Sequence, residues 1–323
     1  MTPKLTTPVI FLFWKRPETT VRVLEKIREA KPRELFLVAD GPRDEREKIL
    51  CAKTRKLVEK MIDWDCQIYK NYSDINLGCR ARVSSGIDWA FEQTERAIIL
   101  EDDCLPHPDF FSYCQELLEK YKDNERVMHI GGTNTQEGNK NFQCAASYYF
   151  SQIAQIWGWA TWKRAWQRYD VNIKNWPQVK ESERWKMTLP NYAVREYWTN
   201  LMEEMYQNKN PRKNTWDAQW FYAVLTNNGL AITPKNNLIT NIGFGVEGTH
   251  ALQNDAKANL PLNKLELPIV HPTAIKINIK ADNYNWKFVF RINNTWKKKI
   301  KSFLRHYVPE LYSLAKEFKN RYN

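Results

Sequence analysis

The chain has 323 residues, of which 43% are hydrophobic and 27% charged. That balance excludes a disordered or membrane-embedded chain as its overall class, and the length allows one large domain or two small ones. The net charge of +12 is uneven: residues 272–323 hold twelve Lys/Arg against three Asp/Glu, so the body is near neutral and an anionic partner would meet the tail.

The first 135 residues alternate apolar runs with amphipathic helical patterns. Val9–Trp14 reads as a buried strand, and Pro17 suits the first turn of a helix over Glu18–Ala30. Glu34–Asp40 is a second strand, stopped by Gly41-Pro42 and followed by a charged helix over Asp44–Ile62. Cys66–Tyr69 gives a third strand and Ala81–Thr94 a helix, after which Ala97–Leu100 forms a strand ending on Glu101-Asp102-Asp103. Asp109–Lys122 is helical, and Val127–Ile130 is a strand before Gly131-Gly132. Continuous apolar strands separated by helices predict an α/β fold with a mostly parallel, Rossmann-like central sheet covered on both faces. A ligand would then sit beyond the C-terminal strand ends, where Asp40, Asn76 and the acidic triplet fall.

From about Asn141 the pattern turns to Trp-rich helical and loop segments: nine of the fourteen tryptophans lie between Trp157 and Trp220, as core or as the floor of a sugar groove. Ala218–Thr226 reads as an apolar helix, Ala231–Pro234 and Leu238–Thr240 as short strands, and Asn241–His250, with three glycines, as a mobile loop. Beyond Trp296, apolar positions at helical spacing beside Lys297-Lys298-Lys299, Lys301 and Arg305 make a basic amphipathic tail. It would lie on an anionic membrane surface or pack on the main domain. The division expected is 1–135 as the nucleotide-sugar half, 136–271 as the acceptor-side, catalytic half of the same domain, and 272–323 as the tail. No basic–apolar–small signal pattern opens the chain, and the apolar runs are far short of the ~20 residues of a spanning helix. Cys51, Cys66, Cys79, Cys104, Cys114 and Cys144 show no CxxC pair and read as reduced thiols. The expected location is cytoplasmic, peripheral at the inner membrane face.

Three consecutive carboxylates at a strand end repel one another unless a cation joins them. Hard divalent ions need only one or two protein carboxylates when phosphates complete the shell, which fits Mn²⁺ or Mg²⁺ on a nucleotide diphosphate; the bland alternative is an acidic helix cap. Asp40 is placed to accept the imide N–H of uracil, and Arg16 to meet phosphate or base. Asn76-Leu77-Gly78-Cys79-Arg80-Ala81-Arg82 opens the helix before the acidic strand, its two arginines able to fork onto phosphate. The order Arg16, Asp40-Gly41, Asn76-Leu77-Gly78, Glu101-Asp102-Asp103 and Pro106–Phe111 resembles GT-A glycosyltransferases. The resemblance is to the N-acetylglucosaminyltransferase I-like group with its O-mannose-glycan relatives, and to bacterial family 2-like enzymes. It spans roughly residues 8 to 245.

The resemblance implies an inverting transferase with a UDP-sugar donor, UDP-N-acetylglucosamine in the first group, although Asn76–Arg80 looks more like the bacterial enzymes. It implies Asp103 as the direct metal ligand, with Glu101 and Asp102 facing sugar and ribose. That group also carries a Gly-Trp segment and a downstream Trp-Asp pair, matched by Gly158-Trp159 and Trp216-Asp217. Asp217 would be the base that deprotonates an acceptor hydroxyl, Trp216 would shape the sugar pocket, and the structural alternative for Asp217 is a helix cap. His250, after the glycine-rich loop, would reach the metal or the diphosphate when that loop closes. The expected acceptor is a glycan or lipid-linked precursor. A metal-dependent nucleotidyltransferase would share the fold and acidic site, but Phe13-Trp14-Lys15-Arg16-Pro17 lacks the glycines of a phosphate loop. A non-catalytic glycan-binding relative is the third reading. Nucleic acid is not expected, because the basic charge lies in the tail, away from the aromatics.

Overall fold

The computed structural model describes residues 5–208, 215–244 and 260–292. Its first half follows the expected rhythm: β1 (Val9–Phe13), α1 (Pro17–Ala30), β2 (Glu34–Ala39), α2 (Glu45–Met61), β3 (Gln67–Tyr72), α3 (Gly78–Phe91), β4 (Arg96–Glu101), β5 (Cys104–Pro106), α4 (Asp109–Lys120) and β6 (Val127–Gly131). Pro17 sits in the first turn of α1, and the Asp44 carboxylate caps α2 by accepting from the Glu47 N–H. The second half holds β7 (Tyr148–Ser151), β8 (Trp159–Trp162), α5 (Lys163–Trp166), α6 (Trp176–Glu181), α7 (Glu183–Thr188), α8 (Tyr192–Tyr206), α9 (Asp217–Thr226), β9 (Leu230–Pro234) and β10 (Ile239–Asn241). It closes with α10 (Ile279–Tyr284), running into a π-helical turn over Asn285–Val289.

Eight strands form one sheet in the order β3-β2-β1-β4-β8-β6-β9-β7. Strands β1 to β4 pair in parallel, β6 and β9 pair in parallel, and β8 and β7 run antiparallel to their neighbours. The result is a mostly parallel, Rossmann-like α/β sheet flanked by helices. The apolar runs of β1, β2 and β4 are continuous because each serves two cores: Val9, Phe11, Phe13, Leu35, Leu37, Ile98 and Leu100 enter one cluster, and Ile10, Leu12, Phe36, Val38, Ala97 and Ile99 the other.

Three expectations need correction. Tyr148–Ser151 and Trp159–Trp162 are strands of the main sheet rather than loop or helix, and Cys104–Pro106 pairs antiparallel with Ile239–Asn241 in a second, two-stranded sheet. Helix α3 starts at Gly78, not Ala81, and Gly78 enters it at a φ of 79° that a β-carbon would strain. The segment 272–292, assigned to a separate tail, belongs to the fold: Trp286 and Ile292 are buried in a third core with Trp176, Trp185, Trp198 and Phe221. The amphipathic pattern beyond Trp296 lies outside the described residues. Among the described residues no helix is long and apolar enough to cross a membrane, and all six cysteines are free thiols.

Asp282 ties α10 to the end of β7, where its carboxylate accepts from the Ser151 hydroxyl and, at 2.9 Å, the Gln152 N–H. Burial pushes this carboxyl up to about 6, against the two hydrogen bonds. A folded value above the ordinary ~3.9 favours the folded state below that value, and this contribution is lost as pH rises through 6, a change of about 3 kcal/mol. Asp282→Asn should remove this component. The native-minus-variant difference in unfolding free energy, from urea titrations at pH 4 and 7.5, should shift by about that amount; a difference independent of pH would show that Asp282 does not titrate in this range.

Candidate active site

The C-terminal ends of β1, β2 and β4 open together at one sheet edge, the place where ligands bind in such folds. A cavity of about 490 Å³ lies there. That volume suits a small organic ligand. Its lining includes Trp14, Arg16, Asp40, Arg43, Asn76, Cys79, Arg82, Glu101, Asp102, Asp103, Trp157, Trp216, Asp217, Asn241 and Phe244. Nine sequence-selected residues thus share one cavity. Antiparallel β8 contributes because the residues before it, at Trp157, fall beside the outgoing ends of its neighbours, and α9 contributes because its first turn faces the same edge.

Each expected residue has a definite environment. Asp102 is 2% exposed and anchors the β1–α1 connection: Oδ2 accepts from the Trp14 N–H at 3.2 Å and the Thr20 hydroxyl at 3.4 Å, and Oδ1 pairs with Arg16. These contacts occupy the carboxylate expected to face the ribose. The Arg16 guanidinium also reaches Asp103 Oδ2 at 3.1 Å, so in this state it meets carboxylates rather than phosphate. Asp103 Oδ1 has longer contacts, 3.5 Å to Asn241 Nδ2 and to Cys104 Sγ. The β5–β10 pairing holds that loop in place: the Ile242 N–H bonds the Asp103 carbonyl at 2.8 Å, and a β-carbon on Gly243 would come within 2.4 Å of Asp103 Oδ2. Glu101 closes β4, where burial and then Asp103, Asp102 and Asp217 push its carboxyl well above the ordinary range, opposed by Arg16.

Asp40, expected to meet uracil, lines the cavity and is held by four hydrogen bonds. Oδ1 accepts from the N–H groups of Gly41 (2.8 Å) and Leu77 (2.9 Å), and Oδ2 from Asn76 Nδ2 and the Gly78 N–H, both at 3.0 Å. Asp40 and Asn76 therefore build the entrance of α3. Arg80 points away from the cavity, donating to the Val171 carbonyl at 2.6 Å and to Asn172. Two positions along a helix turn about 200°, so Arg80 and Arg82 cannot share a face. Arg82 does line the cavity, yet its Nη2 is held by Asn71 at 2.6 and 2.9 Å and it braces the end of β3.

Asp217 is the first residue of α9, after Trp216 at the N-cap, so it does not act as the N-cap. Its Oδ1 accepts from the Thr215 hydroxyl and from the Ala218 N–H at 2.8 Å. Among the described residues Oδ2 takes no hydrogen bond. Trp216 is stacked on Trp159, with ring centroids 5.6 Å apart, in a cluster with Trp166, Trp220 and a buried His129. The Trp-rich region is thus mostly core, while Trp157 and Trp216 reach the cavity. His250 lies outside the described residues.

Trp14, Arg43, Trp157 and Cys79 were not singled out by sequence. Trp14 donates its indole N–H to the Gly41 carbonyl at 2.8 Å and lies under Lys15 and Arg43, which both pair with Glu47. These contacts hold the β1–α1 turn by side chains in place of a glycine-rich phosphate cradle. The one available signal was position: Trp14 follows the first strand directly, as Arg16 does two residues on.

Among the described residues no three His, Cys, Asp or Glu side chains are grouped as a full metal-ligand set. The arrangement fits a divalent cation that takes one carboxylate, Asp103, and fills its shell with diphosphate oxygens. Five acidic groups border one cavity, and one of them, Glu101, is already forced toward its neutral form. No protein-family model matches the chain, and no curated protein does. Among solved structures, UDP-glucose pyrophosphorylase complexed with UDP-glucose aligns with 75% of this chain and 96% of its own at 13% identity and a TM-score of 0.40. Apo UDP-glucose pyrophosphorylase aligns over 75% and 95% at 13% identity and a TM-score of 0.37.

Proposed function

We propose that the chain is a metal-dependent enzyme of the GT-A glycosyltransferase type, moving a sugar from a UDP-sugar to a hydroxyl of a glycan or lipid-linked acceptor. The observation that carries this reading is one cavity at the strand ends that joins an acidic triplet with a carboxylate, Asp217, on a different element. Bound at Asp103, Mn²⁺ or Mg²⁺ would act as Lewis acid for the departing diphosphate. Asp217 Oδ2 takes the proton of the acceptor hydroxyl, whose oxygen forms the new bond to the anomeric carbon. The bond from that carbon to the β-phosphate oxygen breaks, and its electron pair leaves with UDP. Thr215 and the Ala218 N–H fix the other oxygen of Asp217 and so orient the base. Trp157 and Trp216 offer apolar faces that exclude water from the sugar.

Nucleotidyl transfer would break a phosphoanhydride bond instead, and the turn after β1, Phe13-Trp14-Lys15-Arg16-Pro17, has no glycine to bring its backbone close to a triphosphate. The test is calorimetric titration of UDP with and without Mn²⁺, on the native chain and Asp103→Ala. Metal-dependent binding that the variant lowers at least tenfold is expected. UDP binding indifferent to both metal and Asp103 would overturn the donor site, and pyrophosphate-dependent UTP formation from a UDP-sugar would replace glycosyl by nucleotidyl transfer.

A further inference from the structure

The acidic triplet does not wait for a cation with empty hands. Arg16 is engaged with two of its three carboxylates, and they hold it differently. Asp102 is fully committed, with the Trp14 N–H and the Thr20 hydroxyl on one oxygen and the guanidinium on the other. Asp103 has the guanidinium at 3.1 Å and otherwise only two contacts at 3.5 Å. The Arg16–Asp102 contact is thus the anchor, and the Arg16–Asp103 contact is the exchangeable one.

From this we propose that Arg16 is a resident counter-cation for Asp103, which competes with the divalent ion and releases the carboxylate when a diphosphate arrives. The inference rests on the donor and metal reading of the same cavity. A hard ion that takes Asp103 meets a guanidinium already 3.1 Å from Oδ2, and the two like charges repel unless one of them moves. A metal ion alone must displace Arg16 and then sit beside its positive charge. A diphosphate changes both terms, because it supplies oxygen ligands to the ion and an acceptor for the displaced guanidinium. Five N–H donors in a planar fork let Arg16 keep Asp102 while turning toward phosphate. Asp102 therefore works as a hinge that keeps Arg16 within reach of both partners. The consequence is reciprocal coupling: nucleotide tightens metal binding by the factor by which metal tightens nucleotide.

The test measures Mn²⁺ affinity by electron paramagnetic resonance of the free ion, on the full chain, with and without UDP. Native protein should bind Mn²⁺ weakly alone and at least about tenfold more tightly with UDP. Arg16→Gln should tighten Mn²⁺ alone by about fivefold or more yet weaken Mn²⁺ in the presence of UDP, and Arg16→Lys should restore the weak metal-only state. A general loss of structure would weaken both affinities, so the opposite signs identify competition. Arg16→Gln with metal-only affinity unchanged or weaker, while Asp103→Ala abolishes Mn²⁺ binding, overturns the competition but keeps the metal site. Mn²⁺ bound by Asp103→Ala as tightly as by the native chain overturns both.

Discussion

Asp217→Asn is expected to lower the rate of sugar transfer by about 10²–10⁴-fold while UDP–Mn²⁺ affinity changes less than about twofold. The amide is nearly isosteric, and its oxygen can still accept from Thr215 and from the Ala218 N–H, so the start of α9 stays in place. What disappears is the second carboxylate oxygen, which carries no hydrogen bond among the described residues and borders the cavity. A neutral amide cannot remove a proton from an acceptor hydroxyl, whereas the proposed diphosphate site lies on the triplet side. Single-turnover rates with a radiolabelled UDP-sugar, beside calorimetric UDP affinity, separate the two quantities. Retained turnover would dismiss Asp217 as the base. Retained glycan binding with no turnover in the native chain would favour the non-catalytic relative.

Asp40→Ala should cost about 3 kcal/mol of folding free energy, toward the upper end for a single substitution. Its carboxylate is 7% exposed and accepts four hydrogen bonds that pin Gly41 and the Asn76–Gly78 turn. Removing it leaves three backbone N–H groups without their acceptor at a largely buried position. Gly78, at positive φ, begins α3 only while that turn is closed. Asp40→Asn should fall between native and alanine, because an amide oxygen replaces one accepting side and its NH₂ faces the donors on the other. Urea unfolding of the three proteins gives the order directly, and a loss below about 1 kcal/mol for alanine would mean that other contacts hold the turn. UDP affinity should fall in parallel, since Asn76, Gly78 and Cys79 line the cavity.

Helical geometry separates Arg80 and Arg82, both expected on phosphate, because two steps along a helix place them on different faces; Val171 and Asn172 take the first and the cavity the second. Other features are decided beyond the local sequence. Tyr148–Ser151 and Trp159–Trp162 are four residues each, aromatic and without alternation, and they are strands because β9, β4 and β6 offer edges to pair with. Asp40 reads identically whether it faces a base or a turn, and only the approach of Leu77 and Gly78 decides between them.

By itself the sequence determined the α/β class and the edge where chemistry can occur. Local hydrophobic runs, proline and glycine punctuation and acidic strand ends are written within a few residues of one another, so they survive without long-range knowledge. Tertiary structure alone decided which of the marked side chains remain available. Asp102 and Asp40 are spent on loops that arrive from elsewhere in the chain, Arg16 is parked on the triplet, and Asp103 and Asp217 are left with oxygens toward the cavity. A carboxylate has few lone pairs, and packing distributes them before any ligand does.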